Sequence, residues 1–312
     1  MEQRLPGRLP PEAMFPAGVA GIRTRYVVLP GGVRLRLAEA GDASAPPVLL
    51  LHGWGASIYM WRAWFAPLAA AGLRPVAVDL PGHGLSDKPG EDAAYRLEAL
   101  VGVVRELLDV ERLTDVSLVA QSMAGTIALE LVLRGEPRIR RLALVNPACF
   151  GRIPRRALGA AVSPPVVDHV LPWLVTRRVV ALAHRMVYGD PSRITERDED
   201  EYWAPSQFPA YARAMRRLLH RFTWRRPPVD VMAGRLRALR DPVLVVLSTR
   251  DRLVRGARPY VEALRAAGAP LDVREVVGGG HAVNEERPAE VLALVLGMPG
   301  IGRASTAHHG AT

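Results

Sequence analysis

The chain has 312 residues, 49% hydrophobic and 23% charged, the composition of a globular protein with a sizeable core. Its formal charge of +10 is carried almost wholly by arginine, with Lys88 the single lysine. No basic tail, zinc-finger spacing or aromatic-interleaved basic strand accompanies that charge, so no nucleic-acid partner is expected. Cys149 is the only cysteine, which excludes an intrachain disulfide and a multi-cysteine metal site.

The first twenty residues are broken by Pro6, Pro10, Pro11 and Pro16 and lack a continuous apolar stretch, so no signal peptide is expected. No apolar run reaches the roughly 18 residues a membrane span needs. A soluble, cytoplasmic protein is the expectation. Residues 22–28 and 33–40 flank Pro30-Gly31-Gly32 and predict an antiparallel hairpin. The continuous apolar run Val48-Leu49-Leu50-Leu51 predicts a strand buried on both faces of a parallel sheet. It leads through His52-Gly53-Trp54-Gly55 into an apolar helical stretch, 61–71. Residues 75–78 predict the next strand and 97–108 a helix. Residues 116–121 and 141–145 predict two further strands. Strand–helix alternation with short turns implies a parallel sheet covered by helices, with the chemistry at the carboxyl ends of the strands.

From about 150 to 240 the alternation lapses. This stretch is punctuated by prolines, shows helical apolar spacing at 166–183 and 211–222, and contains no strand pattern, so it reads as a helical insertion over the sheet. The alternation resumes with a strand at 242–248, a helix at 257–267, a strand at 271–277 and a last helix from Pro288. The chain divides into an N-terminal extension (1–21), a core (22–149 and 241–300), the helical lid insertion (150–240) and a small, polar tail (301–312) expected to be disordered.

Ser122 stands where the 116–121 strand turns at once into a helix. Such a turn holds its residue in a strained conformation and pushes the side chain outward, and it demands small neighbours. Here Ala120 and Ala124 fill the positions usually spelled glycine, and Gly125 follows. The plain alternative is a serine capping a helix N-terminus.

A serine hydroxyl becomes a nucleophile only when a base removes its proton and a third group orients that base. Of eight histidines, only His281 lies in a glycine-rich loop directly after the last strand, Gly278-Gly279-Gly280-His281. Asp251 lies in the turn after the preceding strand. The order Ser122, Asp251, His281 is the nucleophile–acid–base order of α/β-hydrolases. The turn after Val145 holds Asn146, which carries no charge to offer. Oxyanion donors are expected from the backbone amides of Met123, at the helix start, and of Trp54, in the loop after Leu51.

The chain thus resembles the α/β-hydrolase superfamily with a helical lid, over about residues 22–297. The resemblance is carried by His52-Gly53-Trp54-Gly55, Asp79-Leu80-Pro81-Gly82-His83-Gly84, Ala120-Gln121-Ser122-Met123-Ala124-Gly125, Arg250-Asp251-Arg252-Leu253-Val254 and Gly280-His281-Ala282-Val283-Asn284. It implies a mostly parallel central sheet flanked by helices and a serine hydrolase acting on a small molecule without metal or cofactor. Asp79 and His83 would shape their turn rather than do chemistry. Serine at the elbow counts against the haloalkane dehalogenase and epoxide hydrolase branches, which place aspartate there. Three readings stay open: an esterase, a carbon–carbon bond hydrolase and a non-catalytic binder of a small ligand.

Between Gly151 and Arg240 there are seventeen arginines against eight acidic residues. Arg213, Arg216, Arg217, Arg221, Arg225 and Arg226 interleave with Met215, Leu218, Leu219, Phe222 and Trp224. They make either a solvated face of an amphipathic helix or a basic surface that draws in anionic substrates or peripheral acidic lipid. Trp173, Tyr188, Trp203, Phe208 and Tyr211 line an apolar pocket or form the insertion's own core.

Overall fold

A computed structural model describes residues 4–154, 164–239 and 241–301. Eight strands form one sheet in the order β1-β2-β4-β3-β5-β6-β7-β8: β1 Arg23–Val28, β2 Arg34–Glu39, β3 Pro47–Leu51, β4 Arg74–Val78, β5 Val116–Gln121, β6 Ile139–Val145, β7 Val243–Ser248 and β8 Leu271–Val276. The hairpin β1–β2 joins the sheet antiparallel through β4, and every pairing from β4 to β8 is parallel.

The apolar runs form central strands because both faces of the sheet are covered. Side chains alternate along each strand. Leu49, Leu51, Val76, Val78, Leu118 and Ala120 pack on one face with helices α1 (Leu97–Val110) and α2 (Met123–Leu133). Val48, Leu50, Ala77 and Val119 pack on the other face with Trp61, Trp64, Phe65 and the helix Pro288–Leu296. The stretch expected as one helix over 61–71 is a 3-10 turn, Ile58–Trp61, capped by Ser57, followed by a short helix, Phe65–Ala70.

Among the described residues the chain between β6 and β7 holds helices and their connecting loops but no strand, only an isolated bridge from Arg152 to Arg255. The stretch expected as helical over 166–183 is broken. A 3-10 segment (Pro165–His169) and a single turn (Leu171–Leu174) precede helix α3 (Arg177–Val187), because Thr176 caps that helix through the amide of Val179. Helices α4 (Glu196–Trp203) and α5 (Pro209–Arg221) follow. Residues 155–163 and 240 of the insertion lie outside the described residues, as does the tail beyond Ile301.

The N-terminal extension is strapped between core and insertion. The Phe15 amide donates to Glu201 in α4, the Phe15 carbonyl accepts from Arg36 in β2, and the Leu5 amide donates to the Gln207 carbonyl. Arg62 from the core reaches Asp198 of α4 at 2.7 Å and Glu285 at 2.5 Å, with Tyr59 and Tyr202 donating to the same two carboxylates.

Three arginines of α5, expected on a solvated or ligand-drawing basic face, are engaged in ion pairs. Arg216 is buried against Asp168 of the preceding 3-10 segment, and Arg217 and Arg221 pair with Asp92 of the core. Arg216 thus ties α5 to the 3-10 segment within the insertion, while Arg217 and Arg221 tie the insertion to the core.

Candidate active site

Ser122 has φ 52° and ψ −114°, a conformation that L-residues rarely adopt. Neighbouring backbone holds it there: its amide donates to the Val145 carbonyl, and its carbonyl accepts from Ala148 and Gly125. The turn has no room for larger neighbours. Ala120 and Ala124 are fully buried, and a Cβ on Gly125 would come within 2.8 Å of Pro147. Alanine is small enough at both positions usually taken by glycine.

The Ser122 hydroxyl lies 2.8 Å from His281 Nε2, and His281 Nδ1 lies 2.8 Å from Asp251 Oδ2. The other oxygen of Asp251 accepts from the amides of Leu253 and Val254, which fixes the carboxylate plane. All three residues come from loops at the carboxyl ends of their strands. Ser122 and His281 are each 5% exposed, so the pair is covered.

Residues that motif spacing did not single out hold the histidine loop. Gln121 Nε2 donates to the His281 carbonyl. Asn146 Nδ2 donates to the carbonyls of Gly280 and His281 and to the Ser248 hydroxyl, while its carbonyl oxygen accepts from the Ser248 amide. Asn146 has φ 43°, a value asparagine tolerates better than most residues, and its only sequence signal was the strand-ending Asn-Pro pair. Glu286 is buried and accepts from three backbone amides, those of Gly280, Gly189 and Asp190. It therefore joins the histidine loop to the end of α3. The Ala282 amide adds a bond to the Val187 carbonyl. A Cβ on Gly280 would lie 2.2 Å from the Gly189 nitrogen, so this contact requires glycine. Of the three glycines before His281, only Gly278 needs a positive φ, at 79°; Gly280 serves close approach instead.

The loop after β3 passes directly over the nucleophile. A Cβ on Gly53 would lie 3.1 Å from Ser122 Cβ, which brings the Gly53–Trp54 backbone alongside it. His52 anchors this loop: its Nε2 accepts from the Leu80 amide at 3.0 Å, so Nδ1 carries the proton and donates to the Gly53 carbonyl. Burial lowers the His52 pKa, which keeps that neutral tautomer. Asp79 is fully buried and accepts from the amides of Ile58 and Leu85, and the His83 ring packs edge-on against His52. The Met123 amide sits at the first position of α2, where no carbonyl of its own helix can accept it.

Two contacts from α5 close over the loop: Trp54 Nε1 donates to the Met215 carbonyl and the Tyr211 hydroxyl to the Gly55 carbonyl. Tyr188 and Tyr211 are buried, whereas Trp173 is exposed, so the insertion's aromatic residues form no single lining. A cavity of about 190 Å³ opens on the far side of Asp251, between Ser248, Val254 and Gly256, and does not reach Ser122. Cys149 is buried, which pushes its thiol up to about 12 and leaves it unreactive. Among the described residues no cluster of His, Cys, Asp or Glu is arranged to hold a metal ion, and no helix is long and apolar enough to cross a membrane.

A model of the alpha/beta hydrolase family matches residues 48–294. The chain is 29% identical over 280 residues to a haloalkane dehalogenase of Mycobacterium marinum, covering 85% of this chain and 88% of that one. It is 32% identical over 123 residues to a 2-hydroxymuconate semialdehyde hydrolase of Pseudomonas sp., covering 39% and 42%. A carboxylesterase of Bacillus subtilis shares the fold with a TM-score of 0.71 at 20% identity, covering 92% and 94% of the two chains.

Proposed function

The chain belongs to the alpha/beta hydrolase family, and from that premise we propose that it cleaves carboxylic esters of small to medium, largely apolar substrates through an acyl-enzyme. The observation that carries this reading is the continuous chain from the Ser122 hydroxyl through both nitrogens of His281 to Asp251. With Nδ1–H donating to Asp251, Nε2 is left as the acceptor for the serine proton. Ser122 attacks the carbonyl carbon as His281 takes that proton, and Asp251 stabilises the resulting imidazolium. The tetrahedral oxyanion falls between the amides of Trp54 and Met123, a donor pair of the kind worth about 3 kcal/mol for each member. His281 returns the proton to the leaving alkoxide. Water, activated by the same imidazole, then releases the acid and restores the serine.

A carboxylate nucleophile can displace halide or open an epoxide directly, but a neutral hydroxyl paired with a base is suited to acyl transfer. This chemistry needs no metal or cofactor. The insertion is read as a lid, because Ser122 and His281 are covered and α5 bonds to the loop above them.

Initial rates on p-nitrophenyl esters of increasing acyl length test the reading. Saturable turnover that is lost in Ser122→Ala is expected. Turnover of a vinylogous diketone with none on esters would favour carbon–carbon cleavage by the same serine, a reading supported by the similarity to the semialdehyde hydrolase.

A further inference from the structure

Among the described residues fourteen large apolar side chains are exposed, and seven of them fall between Val166 and Met186. Trp173 is 67% exposed, Leu174 59% and Leu182 62%. Their arrangement on α3 is the reverse of an ordinary surface helix. Ala181 and His184 point inward, while Val179, Leu182 and Met186 fall on the opposite side, within an arc of about 60° at 100° per residue. Exposed Arg178 lies on one border of that stripe, beside Arg185, which is paired with Glu199. An apolar face of this size on the outside of a folded chain marks a surface that meets something else.

Charge selects the occupant. The only acidic residue between Pro164 and Val187 is Asp168, and it is paired with Arg216. The acidic run of α4 is likewise engaged, with Glu199 and Asp200 held by Arg177 and Arg185. An apolar stripe bordered by arginine, next to an exposed tryptophan, on a chain of net charge +10, is complementary to an anionic lipid surface. A second copy is disfavoured, because the same contact would press two basic insertions together.

We propose that the outer face of residues 166–186 docks on anionic bilayers, with Trp173, Leu174, Val179, Leu182 and Met186 entering the headgroup region and Arg178 meeting lipid phosphates. The acyl chains receive the apolar side chains and the anionic headgroups supply the attraction. This places the contact on α3 and the turns before it, whereas the arginines of α5 are spent on internal pairs.

Sedimentation of the full chain with sucrose-loaded vesicles tests the proposal independently of any hydrolysis. Vesicles containing phosphatidylglycerol are expected to bind at least about tenfold more protein than pure phosphatidylcholine, with the excess falling as salt screens the charges. The double variant Trp173→Ser, Leu182→Ser is expected to lose about tenfold or more in binding while keeping its melting temperature and its turnover of a soluble ester. Three results would overturn the proposal: no binding by the parent chain, binding that the double variant retains, or a lipid-free dimer that the double variant dissolves. The last would assign the face to a second copy.

Discussion

Two helices of eleven residues each, α2 and α3, show how differently this molecule uses apolar side chains. In α2 eight residues are buried, and the helix is clamped against the sheet with Ser122 strained at its start. In α3 only Ala181 and His184 are buried, and the larger apolar residues face outward. The first helix is positioned by the core and makes the site rigid. The second is held by polar groups, through Glu286, Arg177 and the carbonyl of Val187, and leaves its apolar face unspent. A helix positioned by the core at the sheet edge and a helix of the insertion held by polar groups are therefore separable, and substitutions should separate them.

The largest effect is expected at the rigid side. His281→Gln removes the base and should lower kcat for ester hydrolysis by about 10⁶-fold with little change in unfolding midpoint. An unchanged kcat would show that the sheet edge is not where the chemistry lies. Asp251→Asn should lower kcat by about 10⁴-fold, because the amide favours the wrong imidazole tautomer while keeping its shape.

Glu286→Gln acts where the two regions meet. One of its oxygens becomes a donor facing backbone N–H groups, so the histidine loop shifts against α3. The expected result is a loss of about 10²-fold in kcat with KM nearly unchanged, alongside a lowered midpoint in urea. A fall in stability alone, with kcat intact, would separate Glu286 from the positioning of His281.

The smallest effect concerns the cover. His184 is buried with neither nitrogen bonded among the described residues, its ring against Tyr188 and Tyr202. Burial lowers its pKa to about 4 from an ordinary value of 6.5, against the opposing pull of Asp198. Between these values the unfolded chain binds a proton that the folded chain refuses, so stability falls as pH falls from 6.5 towards 4. His184→Phe keeps the ring contacts and removes the proton. Across that window the variant should lose about 2 kcal/mol less stability than the parent chain in urea titrations, the difference cancelling the contributions of His52 and His83. Parallel curves would place the acid sensitivity elsewhere.

Much of the rigid side was legible in the sequence. Runs such as residues 48–51 are apolar throughout because both faces of the sheet are covered, and the small residues around Ser122 declare a tight turn. Asn146, Gln121 and Glu286 were not legible as supports, since their partners are backbone groups from distant loops and leave no pattern. The insertion misled in a different way. Helical spacing at 166–183 marks an apolar stripe but not its direction, and Thr176 breaks the stretch with a cap. The arginines of α5 looked like a free basic face because Asp92 and Asp168, which neutralise them, lie far away in the chain.

Everything proposed for this site requires Ser122 to be an activated nucleophile. Incubation with a fluorophosphonate followed by peptide mass spectrometry tests it directly. One adduct is expected, on the peptide carrying Ser122, that disappears in a folded Ser122→Ala chain and is strongly reduced in His281→Gln. A parent chain that takes up no label, or a label that survives Ser122→Ala, would contradict it.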